Sequence, residues 1–238
     1  MTFLIRNEHI LYDHNDFLVV AKPAGIPVHN DGYVNVSSPL LQQVRNIIGN
    51  KVWPVHRIDR QCSGCVLFAK QSDYVSQLQM ALQRGRKRYI ALVRGIINNR
   101  EEISITIPIK VDKVQNKYKE AKTLIWCLGT HIEPRCSIVL AEPKTGRKHQ
   151  VRRHLRDIHH PIIHDGDHGD SRVNRYWREN RGMKRLGLHA LSLDIQYKNQ
   201  TYNISCPLFK DHYMVYKELD FWKELQLNFP VFNKNFIS

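Results

Sequence analysis

Residues 56–70 read HRIDRQCSGCVLFAK, a charged segment running without a break into an apolar strand. Asp59 stands between Arg57 and Arg60, and the segment leads into the apolar run Cys65–Lys70. Arginine neighbours favour the anionic form of a carboxylate, which suits it to act as nucleophile or base. The same pattern is met more often as a plain salt bridge, so the residues around it must decide. Similar runs rich in Val, Ile, Leu and Phe recur at Phe17–Lys22, Tyr89–Ile97, Ile103–Ile109, Thr123–Leu128, Cys136–Ala141, Leu186–Tyr197 and Thr201–Cys206. They read as strands, and Tyr197-Lys-Asn-Gln200 reads as a hairpin turn.

Helical segments are fewer. Ser38 caps a helix carrying Leu41, Val44 and Ile48 and closed by Gly49. Ser72 or Asp73 opens a second helix with Val75, Leu78 and Leu82 inward and Gly85 at its end. Thr145 is the expected cap of a third, with Val151, Leu155 and Ile158 on one stripe. Asp211 starts a C-terminal helix carrying Val215, Leu219 and Trp222. Strands outnumber helices and do not alternate with them, which predicts an α+β protein on a mostly antiparallel sheet. Neither repeat nor linker is visible, so the expectation is one domain over residues 1–238.

The chain has 238 residues and a formal net charge of +14, which favours an anionic partner such as nucleic acid. Residues 135–185 hold 13 Lys/Arg against 6 Asp/Glu, so half of the excess charge lies in about a fifth of the chain. Arginine dominates there, and its planar fork suits phosphate. The longest apolar runs, Phe17–Ala21 among them, are five residues, far short of the roughly 20 that a spanning helix needs. Five cysteines without an export signal read as reduced thiols of a cytoplasmic protein.

Several chemical-looking patterns fail on spacing. Cys62-Ser-Gly-Cys65 lacks the second close pair of a zinc site. Asp165–Asp170 begins like a calcium loop, but its twelfth position is Tyr176, where a Glu is needed. Histidines 149, 154, 159, 160, 164 and 168 cannot share a helix face across Pro161 and Gly166. No metal site is expected. Phosphate-cradling GxxxxGK[ST] and GxSxG elbows are both missing.

With these set aside, HRIDRQCSG resembles the HRLDRxTSG signature of the RluA-type pseudouridine synthases. Lys22-Pro-Ala-Gly25 is similar to their KPxG motif, and Tyr89–Gly95 to the strand carrying their pocket tyrosine. Thr145-Gly-Arg-Lys-His-Gln-Val-Arg152 is similar to TGRxHQIR, followed by His160-Pro-Ile-Ile and Asp165, and Leu188-His-Ala190 matches the closing LHA. These motifs keep the family's order from residue 22 to 190. Cys62 stands where Thr is usual, and His164 where Gly is. The branch acting on uridine 65 of tRNA looks most similar, through His168-Gly-Asp170 and Asn174-Arg175 and through the missing accessory N-terminal RNA-binding domain.

The resemblance implies a pseudouridine synthase fold, with a mostly antiparallel mixed central sheet flanked by helices and loops and two lobes around one RNA-binding cleft. It makes Asp59 the catalytic aspartate and Arg147 the basic residue that pairs with it. Tyr89 would stack on the flipped uracil, Arg57 would fill the vacated space in the RNA, and Leu188 would be a pocket wall. Lys148, Arg152, Arg153, Arg172 and Arg175 are the expected RNA-backbone contacts. No cofactor is implied, and the partner is RNA, tRNA first, bound by a monomer without a membrane. The alternatives are a ribosomal RNA uridine, a non-catalytic RNA-binding protein and, last, a metal-dependent nucleic-acid enzyme.

Overall fold

The computed structural model describes residues 4–30, 38–112, 114–233 and 236–237. In chain order the elements are β1 (Ile10–Asp13), β2 (Phe17–Lys22), α1 (Leu40–Ile48), β3 (Trp53–Pro54), β4 (Ser63–Ala69), α2 (Tyr74–Arg84), β5 (Arg86–Arg94), β6 (Ile103–Ile105), β7 (Ile109–Asp112) and β8 (Lys117–Lys119). Then follow β9 (Thr123–His131), β10 (Cys136–Pro143), α3 (Gln150–Asp157), α4 (Ser171–Asn180), β11 (Leu188–Tyr197), β12 (Gln200–Ser205), α5 (Lys210–Tyr216) and α6 (Trp222–Asn228). This is the expected α+β class. Among the described residues, no helix is long and apolar enough to cross a membrane.

The chain divides into two compact units. The first comprises Met1–Lys87, His189–Phe209 and Lys234–Ser238. Here β1 and β2, β2 and β4, and β11 and β12 pair antiparallel, while β4 and β11 run parallel with Ser63 opposite His189 and Gly64 opposite Ala190. All six residues of β2 are buried, which is why its sequence is a solid apolar run instead of an alternation. Phe17, Val19 and Ala21 pack with Cys65, Leu67, Leu78, Leu82, Leu193 and Ile195. Each large side chain in such a cluster contributes about 1.5–3 kcal/mol by leaving water. On α2 Leu78 and Leu82 are buried as expected, Ala81 joins them, and Val75 is half-buried. Gly49 ends α1 at φ 70°, a left-handed conformation that glycine takes without strain.

The second unit comprises Arg88–Leu188 and Lys210–Asn233. Its strands follow the order β5-β10-β9-β6, antiparallel throughout, and β7 and β8 form a separate hairpin. The run Ile103–Ile109 is not one strand. Pro108 has no N–H to give a ladder, so β6 stops at Ile105 and β7 begins after the proline. The C-terminal helix is likewise two, α5 and α6, with turns at Leu219 and Trp222 between them. Helix α4 was not expected. Asp170 caps it by accepting the Arg172 and Val173 N–H groups, and of its residues Trp177 alone is buried.

Candidate active site

Asp59 lies half-buried in the connection between β3 and β4, with Arg57 and Arg60 exposed beside it. Both ends of this connection are tied down. The Val55 N–H donates to Leu67 O (3.0 Å), and His56 Nε2 accepts the Leu67 N–H (3.1 Å). Burial, helped by the nearby Lys87 ammonium, pushes the His56 imidazole down to about 3, so the ring is neutral and keeps that lone pair. Beyond the carboxylate, Cys62 N–H closes a turn on Asp59 O (3.0 Å).

The KPxG segment supplies the other anchor. Lys22 is 0% exposed, and its ammonium donates to Pro23 O (2.8 Å), Ile26 O (2.9 Å) and Arg60 O (3.1 Å). An ammonium has three N–H donors, and a buried one is costly unless all are matched. Gly25 N–H also donates to Arg60 O (2.8 Å). The turn after β2 is thus fastened to the residue following Asp59. In the residue order Lys22 stands out only as part of a motif, with no task of its own.

Gly64 completes the arrangement. Its φ is +118°, and a Cβ there would lie 2.2 Å from Ala190 O, so β4 and β11 approach as closely as they do only because glycine stands at this position. Buried His189 joins Ser63 Oγ through Nδ1 (2.9 Å) and Cys206 O through Nε2 (3.1 Å). A carbonyl only accepts, so Nε2 carries a hydrogen and donates it to Cys206 O. The first unit therefore fastens the KPAG, HRIDRQCSG and His189-Ala190 motifs to one another, with Asp59 on the connection they share.

The second unit carries the other expected residues. Tyr89 is half-buried on β5 opposite Ala141 of β10. Next to Ala141, buried Glu142 is paired by Arg88 (3.5 Å) and by Lys144. Arg147 is half-buried in the turn before α3, and its Nε donates to Glu120 O (3.0 Å). That turn is organised by buried Gln150. Its Oε1 accepts from the Arg147 N–H (3.0 Å) and the Thr145 hydroxyl (2.7 Å), and its Nε2 donates to Lys122 O (2.9 Å) and Thr123 Oγ1 (3.0 Å). Thr145 is therefore not the helix cap; His149, at φ 55°, holds that position. Leu188 is buried at the end of this unit.

The basic segment is less available than its charge count suggests. Arg152 is 5% exposed, with Nε and a terminal nitrogen on the two oxygens of Asp165 (2.8 and 2.7 Å) and a further contact to Asp167 (2.7 Å). Arg152, expected at RNA phosphate, is thus engaged inside the protein. Burial alone would raise the Asp165 carboxyl, but the Arg152 fork and the N–H groups of His168 and Asp167 hold it below the usual carboxylate range. Arg153 is half-buried and donates to Lys110 O (2.9 Å). Lys148, Arg172 and Arg175 are exposed, as a phosphate-contacting role requires.

The sequence profile of the RNA pseudouridylate synthase family matches residues 16–157. The chain is 36% identical to tRNA pseudouridine synthase C of Vibrio vulnificus over 203 residues, 77% of this chain and 83% of that protein. With the protein of the same name from Haemophilus ducreyi, identity is 33% over 221 residues, 85% of this chain and 90% of the relative. The solved structure of human RNA pseudouridylate synthase domain containing 1 superposes with a TM-score of 0.69 at 25% identity, covering 83% of this chain and 82% of that one.

Proposed function

The chain belongs to the RNA pseudouridylate synthase family, and we propose that it converts a uridine of tRNA, at position 65 of the T stem, to pseudouridine. The reaction breaks the N1–C1′ bond, turns the base and joins C5 to C1′. The C5 proton leaves and N1 takes one, so atoms and oxidation states are conserved and the balance calls for no redox or group-donor cofactor. What it needs is a fixed carboxylate and a base taken out of its stack. Asp59 is the proposed catalytic group and Arg57 its neighbour at the RNA. Tyr89, Arg147 and Leu188 are the proposed uridine contacts, with Lys148, Arg172 and Arg175 on the RNA backbone.

The observation that carries this reading is the anchoring of the Asp59 connection by Lys22, His56, Gly64 and His189, a rigid mount for a single carboxylate. The choice of tRNA is supported by relatives named tRNA pseudouridine synthase C that align along most of both chains. Mapping pseudouridines in total RNA with and without the gene tests both parts. Loss of the mark at tRNA position 65 alone is the expected result. A mark missing from large-subunit ribosomal RNA, with every tRNA unchanged, would replace the substrate and keep the chemistry. Unchanged marks throughout would leave an RNA-binding protein without catalysis.

A further inference from the structure

Two of the histidines that no helix could align, His149 and His168, are brought together by a turn. His149 stands in the left-handed conformation at the start of α3, and the connection after Asp165 returns His168 to it. His149 Nδ1 lies 3.1 Å from His168 Nε2 and 3.9 Å from an Asp167 oxygen. One ligand atom from each residue falls within 4.8 Å of the others, and no other trio of His, Cys, Asp or Glu among the described residues does so.

We propose that His149, His168 and Asp167 bind a divalent transition-metal cation, zinc by preference, with water as the fourth ligand. A tetrahedral zinc at about 2.0–2.1 Å from each donor holds its ligand atoms about 3.3–3.4 Å apart, so small side-chain rotations bring the observed pair distances into range. Two imidazoles and a carboxylate suit zinc, whereas magnesium and calcium want oxygen donors throughout. Asp167 meets Arg152 through the same oxygen, but its side chain is 63% exposed and has a second oxygen, and Arg152 keeps both oxygens of Asp165. All five cysteines are buried, so they do not compete as surface ligands. Chemically, the cation takes the place of the hydrogen between His149 Nδ1 and His168 Nε2, and each neutral ring carries its hydrogen on the other nitrogen. It clips the first turn of α3, two residues from Arg147, to the connection leading into α4. The inference stands on these three side chains and does not depend on the RNA substrate.

The test is equilibrium dialysis of the full chain, stripped with EDTA, against zinc and then cobalt, with metal analysis and visible absorption. The expected outcome is one equivalent of zinc and a tetrahedral cobalt spectrum, with magnesium failing to compete. His168→Gln removes the ligand and keeps a hydrogen-bonding amide beside His149, so the fold survives. It should weaken zinc binding by about 100-fold or more, while the exposed control His159→Ala leaves it unchanged. Zinc should raise the melting temperature of the wild type and not of His168→Gln. Equal zinc affinity in wild type and His168→Gln, or no bound equivalent in the wild type, overturns the site and leaves a hydrogen-bonded histidine pair.

Discussion

The connection around Asp59 and the basic segment 144–185 are both rich in charge, but they are held in opposite ways. Around Asp59 the fastenings end on the main chain: Lys22 on three carbonyls, His56 on an N–H, and Gly64 against the backbone of Ala190. In the basic segment ion pairs between side chains stand beside main-chain bonds such as Arg147 to Glu120 O and Arg153 to Lys110 O. Arg152 meets Asp165 and Asp167, and Arg185 meets Asp211. Main-chain anchors fix a position closely and respond little to salt. Exposed charges such as Lys148, Arg172 and Arg175 exchange readily with ions and phosphates, whereas the buried Arg152–Asp165 pair does not. A carboxylate that acts on one atom needs the first kind of support, and a surface that grips a polyanion needs the second.

The sharpest way to separate the regions is Asp59→Asn. Turnover, followed by tritium release from carbon-5-labelled RNA, should fall by about 10²–10⁴-fold or more, while RNA binding stays close to wild type. Near wild-type turnover would make Asp59 structural and erase the contrast. Gly64→Ala probes the mount instead of the carboxylate. Overpacking against Ala190 together with an unfavourable φ should cost on the order of 3–6 kcal/mol, read from chemical unfolding.

Within the basic segment, Arg152→Ala should destabilise by about 3 kcal/mol, the low end for breaking a buried pair, because Asp165 retains two backbone N–H donors. Its effect on the salt dependence of RNA binding should be small. Arg172→Ala and Arg175→Ala should behave inversely, each lowering the salt slope by about one while stability holds. If Arg152→Ala changed the slope and the α4 variants did not, the buried pair would be opening to meet RNA. The smallest effect is acid sensitivity. Burial alone would raise the Asp211 carboxyl, but the Arg185 fork and His212 bring it from 3.8 down to about 2. The folded value lies below the ordinary one, so this stabilisation is present above about pH 4 and fades as pH falls towards 2. Asp211→Asn should flatten an acid unfolding curve in that window.

Much of this was legible in the residue order. Strand β2 was plain because both of its faces are buried, and the turn after Tyr197 was plain because Lys198 and Asn199 sit in a two-residue hairpin, both at positive φ. Asp59 drew notice through its flanking arginines. Helix α4 did not, since a helix that buries only Trp177 shows no apolar stripe. The task of Lys22 was hidden for another reason. Its partners are carbonyls, which every residue has, so no side-chain pattern could announce them. The inward pairing of Arg152 was hidden as well, because a count of charges does not show which of them face inward.

The parallel pairing of β4 with β11 also sets a clock. Ser63 and His189 touch across a separation of 126 residues. At about 5–20 residues per second, a ribosome needs roughly 6–25 seconds to make the stretch between them. Through that interval the nascent chain holds Asp59 and the KPAG turn, but not the strand that seats Gly64. A chain released early would carry Asp59 on an unfinished mount, completed only once Ala190 has emerged.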